Sequence, residues 1–228
     1  MVTVDGDACV VERRLAAGRL RCPGCPGRLA GWGHARPRVI RGEHGIGWRL
    51  RRRRSRCAGC GVTHVLLPVS CLLRRADGVA VIWAALAGKA AGLGHRPAAR
   101  LVGRPESAVR DWLARFASRA ELIRGVFTVW LCALDADPPP LPPAGSAVED
   151  AVAAVTAAAA AAGRRWAGRL AGLSPGELAS SVSAGALLAP GFTTEWINTS
   201  PFWAGGLPGR EGVRSKINSL LPCSGDCR

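Results

Sequence analysis

The sequence predicts an α+β fold in which a small metal-holding β module comes first and helices follow. Two Cys-x-x-Cys steps, at residues 22–25 and 57–60, lie among segments with the apolar/basic alternation of half-exposed strands. Residues 79–124 change to the apolar spacing of helices. A proline-rich stretch and an alanine-rich stretch then predict a linker and a further helical region.

The β module is predicted over residues 1–75 as a zinc ribbon, with a lead-in over residues 1–20. Two thiolates separated by two residues occupy two corners of a tetrahedron from one tight turn, and a second such turn completes it. A closed four-thiolate site is structural, because it leaves no open position for catalysis. The alternative is four reduced thiols without a metal. The predicted Zn²⁺ ligands are Cys22, Cys25, Cys57 and Cys60.

Other cysteines and histidines lack this spacing. With four thiolates available, three histidines are expected at the surface or against phosphates, although each is a substitute ligand: His34, His44 and His64. Three cysteines are expected to be buried thiols: Cys9, Cys71 and Cys132. Cys223 and Cys227, near the end of the chain, form only a weak metal or redox signal.

Between and after the two steps, the pattern predicts a loop or hairpin turn over residues 42–47, a strand over 48–56 and another over 63–69. The strand over 48–56 carries a run of arginines: Arg49, Arg51, Arg52, Arg53, Arg54 and Arg56. Clustered arginines gain affinity for a phosphate backbone from counterion release. We expect that role here, and the alternative is a solvated strand face.

Residues 76–134 are predicted to form a three-helix helix-turn-helix domain. Helices are expected over 79–91, over 96–102 and from Pro105, at the first helical position, to about residue 124. Ala99 is small enough for a close helix crossing, and Gly103 supplies the turn between the helices. Val109 and Trp112 follow as apolar contacts to the core. The alternative is an ordinary helical hairpin with a basic face.

In such a motif the N-terminal part of the third helix enters the major groove. Arg110 is the candidate for a bidentate guanine contact, and Ser107 for a base or a phosphate. The other predicted outward positions are Glu106, Asp111 and Ala114. Phosphate contacts are predicted for Arg96, Arg100, Arg104 and Arg115.

The second half of the chain begins with a predicted stiff linker and domain boundary over residues 135–145, which contain five prolines. Residues 146–228 are predicted as an alanine-rich helical region, with a new helix start near residues 173–177. After Pro190 we expect a partly disordered tail.

The net charge differs between the two halves of the chain. Residues 1–124 contain 24 Lys/Arg and 8 Asp/Glu, a net +16, whereas residues 125–228 contain 7 Lys/Arg and 8 Asp/Glu, a net −1.

This asymmetry favours a polyanionic partner, nucleic acid first, for the N-terminal half. A basic surface that only keeps the protein soluble is the alternative.

The sequence predicts neither a secretory signal nor a membrane helix. Asp5 and Asp7 stand where a secretory signal has basic residues, and no apolar run reaches the about 18 residues of a membrane helix. Nine cysteines without a signal are typical of the reducing cytoplasm. We therefore expect a cytoplasmic protein with no membrane partner.

The order of these motifs resembles the N-terminal region of bacterial insertion-sequence transposases and of a related group of stand-alone zinc-ribbon/helix-turn-helix proteins. The motifs are Arg-Cys-x-x-Cys-Gly over 56–61, Thr-His-Val-Leu-Leu-Pro over 63–68, and residues 94–113 with Val-Gly-Arg-Pro-Glu-Ser-Ala-Val at 102–109. The resemblance covers about residues 18–124. It implies binding to DNA ends or operators, with the four cysteines as zinc ligands.

A full transposase of this kind adds an RNase H-like domain with three carboxylates for two metal ions. The acids of the second half lie in linker, alanine-rich helix or tail, without the alternating strands of that domain: Asp135, Asp137, Glu149, Asp150, Glu177, Glu195, Glu211 and Asp226. We therefore expect no catalytic residues.

The expected function is that of a non-enzymatic DNA-binding protein, either a transposase-like accessory factor or a transcriptional regulator. Two alternatives stay open: a transposase or recombinase, whole or truncated, whose nuclease is missing or supplied in trans, and a zinc-ribbon module that binds other proteins. DNA is the expected partner, a homodimer is an open option, and no small-molecule substrate is evident.

Overall fold

A computed structural model describes residues 1–167, 170, 172–198, 201, 213, 215–217 and 219 of the chain. The predicted α+β class is confirmed, since a sheet module comes first and helices follow. The predicted tail falls largely outside the described residues, as do Cys223 and Cys227. Among the described helices, none is both long enough and apolar enough to cross a membrane.

The strands pair into two sheets. Their bounds are β1 (Val2–Val4), β2 (Leu29–His34), β3 (Arg38–Arg41), β4 (Gly47–Leu50), β5 (Arg53–Cys57) and β6 (Thr63–Pro68). The larger sheet has the order β1-β6-β5-β2, in which β1 is parallel to β6 and the other neighbours are antiparallel. β3 and β4 form a separate antiparallel pair. We call residues 38–50, inserted between β2 and β5, the hairpin insert.

The single strand predicted over residues 48–56 is therefore two strands. β4 pairs with β3 in the hairpin insert, whereas β5 pairs with β2 and β6 in the larger sheet. The chain must change direction between two sheets, and it does so at Arg51 and Arg52. The turn predicted over residues 42–47 is present, and it contains a short 3₁₀ segment, Glu43–Gly45.

The first 20 residues are more ordered than the predicted lead-in, since they contain β1 and the helix α1 (Ala8–Ala16). The Asp7 side chain caps α1 by accepting a hydrogen bond from the Cys9 N–H at 2.8 Å. A capping aspartate of this kind stabilises a helix by about 1 kcal/mol. Val11 and Leu15 of α1 then pack with Val4, Leu29 and other buried residues into a small core.

Six further helices follow within the described residues. They are α2 (Val79–Ala90), α3 (His95–Val102), α4 (Glu106–Ala117), α5 (Ala120–Leu134), α6 (Ala147–Arg165) and α7 (Pro175–Val182). The helix predicted to reach residue 124 stops at Ala117, because Arg119 has non-helical backbone angles (φ −132, ψ 9). Pro105 is the N-cap residue of α4 rather than its first helical residue.

The proline-rich segment over 135–145 was predicted as a domain boundary, but residues on both of its sides lie in one hydrophobic core. It turns the chain back so that α6 packs along α5. Arg164 of α6 and Asp135 at the end of α5 form an ion pair at 2.6 Å. The buried face of α6 consists mostly of alanines, and small side chains let its backbone approach the larger residues of α5, such as Phe127 and Trp130.

Candidate metal centre and nucleic-acid interface

Four cysteines meet at one end of the larger sheet. The Sγ atoms of Cys22, Cys25, Cys57 and Cys60 all lie within 4.8 Å of one another. The Sγ atoms of Cys22 and Cys60 are 3.8 Å apart, and those of Cys25 and Cys57 are 3.3 Å apart. A tetrahedral Zn²⁺ with Zn–S bonds of about 2.3 Å needs sulfur separations of about 3.8 Å. The four thiols therefore fit one tetrahedral metal ion with small adjustments.

The sheet brings the two distant cysteine turns together. Leu29 of β2 lies opposite Cys57 of β5, so the turn before β2 and the turn after β5 share one end of the sheet. The first turn is closed by the Cys22 N–H, which donates to the Gly27 carbonyl at 2.9 Å. The second is closed by the Gly61 N–H, which donates to the Cys57 carbonyl at 3.1 Å.

Gly27 lies against the thiols at the close approach of the two turns. A Cβ atom added there would be 2.6 Å from the Cys57 Sγ and 3.0 Å from the Gly59 backbone nitrogen. Real Cβ atoms do not come this close, so any side chain would displace a ligand sulfur. The site therefore requires glycine at this position.

Backbone N–H groups point at the sulfurs. The Gly59 and Cys60 N–H groups donate to the Cys57 Sγ at 3.3 and 3.4 Å. The Cys60 N–H contributes most to lowering the pKa of Cys57 to about 6, and it outweighs the effect of burial. For Cys25, the Gly27 N–H lowers the pKa, but the Cys57 thiol and burial together leave it raised. The lowered pKa of Cys57 favours its thiolate, which is the form that binds metal.

His64 is a site residue that the sequence reasoning placed incorrectly. It is buried on β6, and its Nε2 lies 3.4 Å from the Cys22 Sγ. Burial, and then the charge of the chain N-terminus, lower the pKa of His64, which favours the neutral ring over the charged one. A neutral ring with its proton on Nε2 can donate to the Cys22 Sγ. The available signal was strand alternation, because His64 shares the inward face of β6 with Leu66.

The remaining cysteines and histidines divide by exposure. His34 and His44 are exposed, which agrees with a surface position. Cys71 is buried as expected, and burial raises the pKa of its thiol. Cys9 and Cys132 are exposed, which corrects the prediction that both are buried, since each lies on the outer face of its helix.

The six arginines of the run do not share one face, because β4 and β5 belong to different sheets. Arg49 and Arg51 are exposed. Arg53 forms an ion pair with Glu12 of α1 at 2.8 Å. The remaining members are Arg52 and Arg54, which are half-buried, and Arg56, which lies over the Trp32 ring at 5.0 Å.

Burial, and then the charge of Arg38, lower the pKa of the Arg52 guanidinium. Its Nε is buried and has no hydrogen-bond acceptor among the described residues. Arg52 is therefore less suited to a phosphate contact than its neighbour Arg51, whose side chain is open to solvent.

α3 and α4 are joined by a tight left-handed turn. Gly103 adopts φ 61 and ψ 43, a conformation that glycine reaches without a steric penalty. Ala98 and Ala99 are buried at the crossing, as the sequence suggested for Ala99. α4 buries Val109, Trp112, Leu113 and Phe116. The other side of α4 leaves five residues exposed: Glu106, Ser107, Arg110, Ala114 and Ala117.

Asp111, the fifth residue of α4 predicted to point outward, forms ion pairs with two arginines. Arg115 and Arg75 approach its carboxylate oxygens to 2.7 and 3.0 Å. Partial burial raises the pKa of Asp111, but the hydrogen bonds and charges of these arginines outweigh it and leave the pKa below its ordinary value. The guanidinium of Arg115 is thus already paired with Asp111, which makes it less available to a phosphate. Arg96 and Arg100 on α3 are exposed.

Arg104 was predicted to contact phosphate, and the structure corrects this. Its side chain is only 7% exposed, and its Nε donates to Asp77 at 2.7 Å. Its Nη2 donates to the Gly42 carbonyl of the hairpin insert. Arg41 donates to the same carboxylate from Nε at 3.0 Å and from Nη2 at 2.9 Å. We call the three residues Arg41, Asp77 and Arg104 the Asp77 junction.

The Asp77 junction joins two elements that are far apart in sequence. Asp77 comes two residues before α2 and is 3% exposed, so its charge requires partners. Arg104 supplies one from the α3–α4 turn and Arg41 supplies the other from β3. The hairpin insert is therefore fixed beside the start of α4.

Comparisons with models of protein families, with curated proteins and with solved structures found no match to this chain.

Proposed function

We propose that the chain is a non-enzymatic DNA-binding protein in which a zinc-loaded sheet module supports a helix-turn-helix made of α2, α3 and α4. It acts as a transposase-like accessory factor or a transcriptional regulator. The observation that carries the proposal is the exposed face at the start of α4, where Ser107 and Arg110 lie opposite a buried apolar face. This is the arrangement by which a recognition helix presents side chains to base edges.

The availability of the side chains supports this assignment. Arg110 forms no hydrogen bond or ion pair with any described residue, so its five N–H donors are free for a partner. Arg100 on α3 is exposed as well, and it suits a phosphate beside the bases. Arg96 has only a loose contact with Glu106, at 3.4 Å. Such an exposed pair contributes little to stability and opens easily.

Zinc is the metal that the donor set favours. Four thiolates in tetrahedral positions are typical of structural Zn²⁺ sites, and a closed site leaves no position for substrate or water. The ion would tie the turn before β2 to the turn after β5. The hairpin insert and the exposed residues Arg49 and Arg51 come directly before β5 in the chain, so they would be held in place as well. The role of the ion is to hold these elements in place.

Four of the eight acids of the second half have structural partners, which supports a non-enzymatic role. Asp135 pairs with Arg164, and Asp150 accepts the Ala144 N–H at 2.7 Å. Glu149 and Glu177 lie three residues after the capping serines of α6 and α7 and bond to them. Among the described residues, these four carboxylates therefore serve helix ends and a chain turn.

The test is selection of bound sequences from a random DNA pool with the zinc-loaded protein, followed by two arginine variants. Arg110→Ala should relax the base preference at one position by about 1–3 kcal/mol, because a bidentate base contact is lost. Arg51→Ala should weaken binding evenly across sequences and reduce the slope of log K against log salt by about 0.9.

Equal and sequence-independent losses from both variants would contradict a recognition role for α4. Metal-dependent cleavage of the selected DNA would favour a transposase or recombinase. Capture of proteins or RNA without DNA affinity would favour the interaction module.

A further inference from the structure

We propose that the hairpin insert is a second DNA-contacting element, which holds the sugar-phosphate backbone beside the bases faced by α4. This inference rests on the proposed function and adds a contact surface to it. The hairpin insert lies outside the helix-turn-helix, and the arginine run predicted from the sequence only partly overlaps it.

The turn of the hairpin insert lies next to the start of α4. Arg104 comes two residues before α4, and it donates to the carbonyl of Gly42, directly after β3. The turn of the hairpin insert is thus adjacent to the N-terminal end of α4, which is the end that faces DNA in a helix-turn-helix. A duplex that contacts Arg110 would pass close to this turn.

The hairpin insert is held firmly against the rest of the protein. Ile40 on the inner face of the hairpin insert is fully buried against Leu67 and Cys71. The ring of Trp48 packs so closely that a Cβ added at Gly42 or Gly78 would be 3.0 or 2.9 Å from it. The Arg41 N–H donates to the Ala76 carbonyl at 2.7 Å. A surface held this firmly loses little conformational entropy on binding.

The outer face of the hairpin insert combines an unpaired arginine with exposed aliphatic side chains. In the β3–β4 register, Val39 lies opposite Arg49 on the face away from Ile40. Arg49 is exposed, and its side chain has no partner among the described residues. Val39 is 63% exposed, and Ile46 in the turn is 70% exposed. Exposed aliphatic groups beside an unpaired guanidinium fit a deoxyribose and its phosphate.

A groove of about 240 Å³ separates the turn of the hairpin insert from the end of α3. His44 lines it from the hairpin insert, and Arg100 lines it from α3. Glu43 lines the groove as well and disfavours a phosphate inside it. We therefore place the DNA backbone on the outer face of the hairpin insert, at Arg49, and not inside the groove.

The test uses the full zinc-loaded chain with a photo-crosslinking residue in place of Ile46. The matched control carries the same residue in place of Leu141, an exposed side chain in the proline-rich segment. With the random-sequence duplex pool as probe, the label at position 46 should crosslink to DNA. On sequences recovered from that pool, the crosslinks should lie beside the bases whose preference depends on Arg110. The label at position 141 should give background only.

A pair of arginine variants supplies an independent readout. Arg49→Ala should lower affinity several-fold and reduce the salt slope by about 0.9 without changing base preference, because one phosphate contact is lost. Arg124→Ala removes an exposed arginine on α5 and should change neither quantity.

The outcomes separate the two proposals. If Arg110 controls base preference but the label at position 46 stays at background and Arg49→Ala behaves as Arg124→Ala does, the hairpin inference is overturned and the proposed function stands. If no duplex binds at all, both are overturned. If the label at position 46 crosslinks only to a second protein chain and not to bound DNA, the hairpin insert is a protein-binding surface and the inference also fails.

Discussion

The N-terminal sheet module and the helical region bury their interiors by different means. The sheet module has a small core in which a few aliphatic side chains, such as Val4 and Leu66, pack with Cys22 and Cys57. The helical region has a continuous core that includes Phe116, Phe127 and Trp130. Small cores supply little hydrophobic stabilisation, so we expect the first region to depend on a bound metal ion for its stability and the second region not to.

The two regions meet through a seam of buried polar contacts. The Ser180 hydroxyl of α7 donates to the Cys71 carbonyl at 2.9 Å, and the Leu73 N–H donates to the Gly185 carbonyl at 2.8 Å. The Asp77 junction is the charged part of this seam. Hydrogen bonds and ion pairs depend on direction more than apolar contacts do, so the seam fixes the orientation of the two regions.

The largest expected effect is loss of the metal. Cys57→Ser, or removal of zinc with a chelator, should unfold the sheet module, because apparent binding energies of about 10–16 kcal/mol are also folding energy at such sites. The helices α5 and α6 should remain folded on their own core. Hydrogen exchange checks this: amides in β5 and β6 should lose protection, and those in α5 should keep it.

The control for this experiment is Cys9→Ser, which removes an exposed thiol without ligand spacing. Equal loss of protection in α5 would show that the two regions fold as one unit and that the helical region also depends on the metal. An unchanged sheet module in Cys57→Ser without bound metal would end the zinc proposal.

A smaller effect is expected at the seam. Asp77→Asn leaves the Arg104 guanidinium buried with a neutral partner, and breaking a buried pair costs about 3–5 kcal/mol. Asn keeps one acceptor oxygen, so we expect the lower end of that range in denaturant unfolding. Asp137→Asn is the matched control, since this exposed aspartate forms no ion pair with a described residue. Equal stability of the two variants would show that the junction does not hold the regions together.

The smallest effect concerns Asp111, whose pKa is lowered in the folded protein. A lowered pKa stabilises the fold above the unfolded value of 3.8, and this contribution is lost as the pH falls through the folded pKa. The side chain is 39% exposed, so solvent screening limits the contribution to less than about 1 kcal/mol. Unfolding of wild type and Asp111→Asn should differ slightly at neutral pH and converge in acid. A constant difference at all pH values would contradict this account.

Local patterns in the sequence predicted local structure well. Each Cys-x-x-Cys step spans only four residues, and its two cysteines were enough to predict a metal-binding turn. The spacing of apolar residues predicted the ends of α2 and α3 to within a residue or two. The helix α1 was missed because its apolar face, Val11 and Leu15, is short and the partner it packs on comes later in the chain. The turn of the chain back onto α5 was missed because prolines show stiffness but not direction.

Side-chain roles were harder to predict where they depend on partners from distant segments. The sequence by itself determined the α+β class, the four cysteines and the exposed start of α4, since each depends on spacing along one short segment. Only the tertiary structure decided that Arg104 is buried on Asp77, that His64 lies against Cys22, and that the hairpin insert lies beside α4. The charge and polarity of a buried side chain show that it needs an ion-pair or hydrogen-bond partner, but only the tertiary structure decides which distant residue is that partner.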